Sequence, residues 1–172
     1  MRGKWARGIV PRNFYWVIKD RFAICERPGG FGESHRRVRR QEEIIWLREN
    51  GFDVIVSLLP SDHNLHSYDE FQVRWVQIPF TGSDDGLNRL IEVFDHLNGL
   101  LDQGLRVILH RDELSEVVCG LIAAYLFWQD LVPSGPRAVA ITEQLLERQL
   151  GSKGRRIVEL IDKVREADST EV

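Results

Sequence analysis

Hydrophobic positions along the chain fall into two spacings, and the alternation between them sets out the fold. "NFYWVIKDRFAICERP" (13–28) holds two short aromatic and β-branched runs around Lys19-Asp20, a pattern that predicts a hairpin or a pair of edge strands closed by Pro28-Gly29-Gly30. Ile44, Ile45 and Leu47 lie among good helix formers, which predicts a helix from Val38 to Asn50 with Asn50-Gly51 as its stop. "FDVIVSLL" (52–59) is a continuous apolar run of strand length, as expected of a central strand covered on both faces. A short polar helix or loop then leads from Pro60 to Phe71, and "VRWVQIPF" (73–80) is the next strand.

Leu87, Leu90, Ile91, Phe94, Leu97 and Leu101 recur at helical spacing up to Gly104, and "RVILH" (106–110) is a third buried strand. Val117–Trp128 is apolar on nearly every side, which marks the most buried helix. Two more helices are expected, from about Pro136 to Leu150 and around the stripe Ile157, Leu160, Ile161, Val164. Strands alternating with helices imply an α/β fold with a central mixed or parallel sheet flanked by helices. We read residues 1–12 as a basic arm, 13–168 as one domain and 169–172 as a tail.

Composition narrows the function classes. With 43% hydrophobic and 28% charged residues in 172, the chain supports one ordinary core. No apolar signal segment opens it and no apolar stretch is long enough to span a bilayer, so a soluble cytoplasmic protein without membrane contact is expected. Cys25 and Cys119 form no metal-ligand spacing and read as buried thiols. Trp16, Trp75 and Trp128 read as core, and Trp5 as the best exposed anchor.

The net charge of −3 hides an asymmetry: residues 1–40 hold 11 Lys and Arg against 3 Asp and Glu, and residues 41–172 hold 12 against 23. The favoured reading is that the basic segment packs on the acidic remainder. The sharper one is an anion- or partner-binding face made of Arg2, Lys4, Arg7, Arg12 and the run 35–40, with Arg36, Arg37, Arg39 and Arg40. Nucleic acid is not expected, since no nucleic-acid motif accompanies the charge.

In an α/β sheet the ligand site lies beyond the carboxyl ends of the strands, where a loop enters a helix. Residues 110–117 hold that place and read His110-Arg111-Asp112-Glu113-Leu114-Ser115-Glu116-Val117. With "VIL" before them and "GLIAAYL" (120–126) after, they resemble the strand, phosphate loop and central helix of the cysteine-based dual-specificity protein phosphatases, whose pattern is His-Cys-x-x-Gly-x-x-Arg. The resemblance runs over residues 12–150: "NFYWVIKDRFAICERP" is similar to that family's N-terminal hairpin, "IIWLRENGFDVIVSLLP" to its helix and strand, and "VQIPFTGSDDGL" to its acid loop. It implies the dual-specificity-phosphatase-like fold in a single domain.

The family's chemistry does not carry over with the pattern. Its Cys attacks phosphorus as a thiolate; Arg111 stands at that position, always protonated, and cannot attack. Its Arg grips the phosphate oxygens; Val117 stands there and donates nothing. Leu114 replaces the Gly that lets the loop wrap closely, and adds bulk to the cradle. Asp112, Glu113 and Glu116 would face a dianion, and at an effective dielectric of about 20 each like-charge pair ~5 Å apart costs on the order of 3 kcal/mol.

The loop is therefore expected to bind itself, with a carboxylate of Glu113, Glu116 or the acid loop pairing with Arg111 or capping the helix N-terminus. The family's general acid would fall on Asp84 or Asp85, which without a nucleophile have nothing to assist. Cys119 lacks the Cys-x5-Arg frame, and His110 keeps the family's loop-holding position.

The expectation is a catalytically inactive phosphatase-like protein, a pseudophosphatase with no cofactor and no metal, acting by protein binding or assembly. Its contact surfaces would be Arg111–Glu116, Thr81–Gly86 and His35–Arg40, and its partner another protein or a second copy. Two alternatives stay open: a binder of phosphorylated ligands through the 35–40 run, and a hydrolase of changed chemistry. In the second, Asp112, Glu113, Glu116, Asp84, Asp85 and His110 would offer oxygen and nitrogen ligands to a divalent metal.

Overall fold

A computed structural model describes residues 8–30 and 36–170. Arg2, Lys4, Trp5, Arg7 and His35 lie outside them. The chain forms two compact units, Met1–Pro79 with His96–Leu114, and Phe80–Asp95 with Ser115–Val172.

The first unit is built on a five-stranded sheet of order β1-β2-β5-β3-β4, from β1 (Tyr15–Ile18), β2 (Phe22–Glu26), β3 (Val54–Ser57), β4 (Arg74–Gln77) and β5 (Val107–Arg111). The expected hairpin pairs β1 with β2 antiparallel, turning at Asp20 with a positive φ of 63°, and the other pairings are parallel. β5 lies centrally, with His110 opposite Cys25 on one side and Ser57 on the other. Helix α1 (Arg37–Glu49) contributes Ile44 and Leu47 to a core with Ala23, Cys25, Phe52, Ile55, Leu65, Tyr68 and Ile108. The alternate positions Ile24, Val54, Val56, Val107 and Leu109 are buried too, which is why these strands read as unbroken apolar runs. α1 stops where expected, with Gly51 at φ 78° and the Asn50 side-chain amide donating to Trp46 O at 2.8 Å. The stretch from Pro60 to Phe71 holds one short helix, α2 (Ser67–Glu70).

Helix α3 (Gly86–Asp102) runs from the second unit into the first. The second unit adds a 3-10 turn (Ser83–Asp85), α4 (Glu116–Trp128), α5 (Gly135–Leu146) and α6 (Gly151–Thr170). In α4 every residue from Val117 to Phe127 is buried. It packs closely on α6: a methyl built on Gly120 would lie 2.5 Å from Gly154 Cα, so only glycine fits that crossing. α5 begins at Ser134, whose hydroxyl accepts from Arg137 N, and ends four residues before the Leu150 expected, because Glu147 turns left-handed at φ 55°. α6 continues to Thr170, so residues 169 and 170 extend a helix where a tail was expected.

Both cysteines are buried as free thiols. Trp16 and Trp75 pack against the core at its margin and Trp128 against buried Phe94, each half-buried. Arg106 stacks over the Trp16 ring, and the Trp75 indole N–H reaches Asp69 Oδ1 at 3.0 Å; each ring keeps one edge wet for such a polar neighbour. Among the described residues no helix is long and apolar enough to cross a membrane.

Candidate functional site

The loop after β5 begins in the first unit and ends in the second, and each part is held by its own neighbours. His110 is fully buried at the carboxyl end of β5. Its Nδ1 lies 3.0 Å from Arg111 O, which can only accept, so Nδ1 carries the proton. Nε2 is then the acceptor for the Tyr68 hydroxyl at 3.1 Å. Burial lowers the His110 pKa to about 4 and the Arg27 charge adds to this, against the opposing pull of the Arg111 carbonyl and Asp112. Burial also raises Tyr68, so the phenol keeps the proton it donates.

Arg27, directly after β2, clamps the same loop. Its Nη1 meets Asp112 Oδ1 at 3.1 Å, its Nη2 donates to His63 O at 2.6 Å, and its backbone N–H donates to Asp112 O at 3.2 Å. Arg111 forms no ion pair among the described residues, and its buried Nε has no hydrogen-bond partner. Glu113 is exposed, whereas Leu114 is buried, as its apolar bulk requires.

In the second unit Ser115 is the N-cap residue of α4 in extended conformation, yet its hydroxyl gives no capping bond and is buried without a partner. Glu116 Oε2 accepts from Lys153 N at 3.2 Å, in the first turn of α6. A methyl built on Gly151 would collide with that carboxylate, so glycine admits it. The expected self-binding loop is thus corrected in its partners: Asp112 takes Arg27, Glu116 caps α6, and among the described residues neither Arg111 nor the N-terminus of α4 receives a carboxylate. Sequence distance explains the miss, since Glu116 and Lys153 lie 37 residues apart and Arg27 and Asp112 85.

Val117 is buried, and a methyl on Gly82 would sit 3.8 Å from its Cγ2, so an apolar side chain lines the acid-loop turn. In that turn Asp85 accepts from Thr81 N at 2.6 Å and from Thr81 Oγ1 at 2.8 Å. Desolvation pushes the Asp85 carboxyl up, but these bonds, the Arg89 charge and the Gly82 amide outweigh it and hold the group below the usual carboxylate range. Such a carboxylate gives up no proton at neutral pH. Asp84 is exposed.

Solved structures place this arrangement. The chain superposes on kinase associated phosphatase with its catalytic site cysteine substituted by serine, at TM-score 0.70 and 17% identity over 91% of this chain and 97% of that one. The fold is that of the dual-specificity and tyrosine phosphatases. The PP-IP phosphatase Siw14 of S. cerevisiae matches at TM-score 0.64 and 16% identity, covering 95% of each chain. Human DUSP28 matches at 0.61 and 13%, covering 94% of this chain and 100% of that one. Identities this low show a shared fold. No family model and no curated protein matches the sequence.

Within this phosphatase fold the sequence missed two residues that hold the loop, Arg27 and Tyr68. Arg27 left one signal, its place just past a strand bound for the sheet centre. Tyr68 left none, because its partner lies 42 residues away.

Both thiols are shielded. Cys119, the nearest thiol in sequence, is pushed up to about 11 chiefly by burial, and Cys25 is raised well above its ordinary value for the same reason, so both stay protonated. Among the described residues no three His, Cys, Asp or Glu side chains gather as a metal-ligand set.

Proposed function

We propose that the chain is a pseudophosphatase: a dual-specificity-phosphatase-like domain that no longer cleaves phosphomonoesters and acts in the cytoplasm by binding or assembling with another protein. One observation carries the reading. The loop entering α4 holds Arg111 and Val117 where the phosphatase pattern has Cys and Arg, and its neighbouring carboxylates are committed to internal partners, Asp112 to Arg27 and Glu116 to α6. The kinase associated phosphatase neighbour is described by a catalytic site cysteine; the matching position in the His-Cys pattern is Arg111 here. A dianion entering this loop would meet carboxylates, and Val117 offers it no donor where the pattern has the gripping Arg.

Exposed Glu113 and Asp84 leave acidic contact points for a partner on the loop and the acid-loop turn, and a second copy of the chain is the simplest partner to test. Aryl-phosphate hydrolysis tests the loss of catalysis. The wild type is expected to show no vanadate-sensitive turnover, and the Arg111→Cys, Val117→Arg double variant to gain it if the frame is intact. Vanadate-sensitive turnover by the wild type would overturn the reading.

A further inference from the structure

The most exposed large hydrophobic side chain among the described residues is Val38, at 66%, in the first turn of α1. The core face of α1 is carried by Glu43, Ile44 and Leu47, and Val38 lies off it. Ile9 and Val10, both exposed, extend the same surface: the Ile9 N–H donates to Glu42 O at 3.1 Å, one helical turn after Val38. Arg36 and Arg37 directly precede Val38 and Arg12 follows Val10 by two residues, all three exposed, and against them stands half-buried Glu42. Arg12 and Arg37 form no ion pair among the described residues. The first unit thus presents an aliphatic knob set among arginines.

The second unit holds a counterpart. A groove of about 210 Å³ runs between α5 and α6, with an apolar floor of Pro136, Val139 and Val158 and an acidic wall of Glu159 and Asp162. Arg155, the cation lining this groove, is already paired with Glu143 at 3.1 Å. Glu159 is exposed and Asp162 half-buried, and neither forms an ion pair among the described residues. A methyl on Gly135 would lie 2.5 Å from Asp162 Oδ2, so glycine admits the carboxylate at the start of α5. Burial, and then the charges of Glu166 and Glu159, push the Asp162 carboxyl up. An aliphatic side chain with an arginine beside it satisfies floor and wall together, and α1 of this same chain carries that pair.

We infer that the groove between α5 and α6 of one copy receives Val38 and Arg37 of a second copy, Val38 on the apolar floor and Arg37 against Glu159 and Asp162. The two surfaces differ, so each copy keeps a groove or an α1 for the next, and association runs head to tail. This names the partner for the assembly half of the pseudophosphatase reading and rests on that half, not on the loss of catalysis.

The test is sedimentation velocity of the full chain at increasing concentration in physiological salt. The wild type is expected to show a mass above one chain that rises with concentration. Val38→Ala removes two exposed methyls while favouring the helix, and is expected to weaken association about tenfold. Arg37→Glu and Glu159→Arg each set like charges across the contact and are expected to weaken it by at least as much. An equimolar mixture of these two variants should regain it, because the acidic α1 of one meets the basic groove of the other. Lys19→Glu, an exposed change between β1 and β2, leaves association unaltered. A single-chain mass throughout, undiminished association of Val38→Ala, or a mixture no stronger than its two components would overturn the inference. A single-chain mass would leave the loss of catalysis standing, whereas aryl-phosphate turnover would overturn that loss and leave this contact standing, so the two fail separately.

Discussion

Lowering the pH from 7.5 to 5 should destabilise the protein through one buried imidazole. His110 is held neutral between an acceptor, Arg111 O, and a donor, the Tyr68 hydroxyl, and its pKa falls from 6.5 to about 4. The folded value lies below the unfolded one. Between the two the unfolded chain binds more protons, so stability rises with pH across this window and is lost on acidification. At pH 5 the unfolded His is almost fully charged and the folded one almost fully neutral, a difference of about 2 kcal/mol, approaching about 3 kcal/mol below pH 4. The assay is urea unfolding of the wild type and of His110→Gln at both pH values. The substitution costs stability at each pH, but it removes the titration, so the variant should lose about 2 kcal/mol less between pH 7.5 and 5. Equal losses in the two proteins would refute the neutral, tautomer-fixed His110.

Two further outcomes test how the loop and the helix crossing are held. A double-mutant cycle with Arg27→Gln and Asp112→Asn, read by urea unfolding, should give a coupling of about 0.5–1.5 kcal/mol, since the bond is charged but Asp112 is half-exposed. Zero coupling would mean that Arg27 does not clamp the loop. Gly120→Ala should cost about 2–3 kcal/mol in thermal or urea unfolding, because the new methyl meets the backbone of α6 and no side chain can move aside. A neutral effect would show that α4 and α6 cross more loosely than described.

Particular residues show where reading the sequence succeeds. Ile44 with Leu47 and Leu90 with Phe94 report their helices through spacing alone, because burial on one face leaves a period of 3.6. Continuous runs such as "VIVS" report central strands, because both faces are covered. At the candidate site the strand, loop and buried helix that frame residues 110–117 are legible in the sequence. Two misses share a cause. Arg111 was given a carboxylate that Arg27 and α6 receive instead, and α5 was run past Glu147. Each turns on a neighbour or a backbone angle that no local pattern encodes.

By itself, then, the sequence determined which elements form, in what order, and which residue types stand in the loop at 110–117, since element type follows local periodicity. Tertiary structure alone decided that His110 is neutral with a fixed tautomer, that Asp112 belongs to Arg27 and Glu116 to α6, and that Arg39 is held by the buried Glu43. The physical reason is that the energy of a charged or polar side chain is set by burial and by partners tens of residues away. Those are brought near only when strands pair and helices cross.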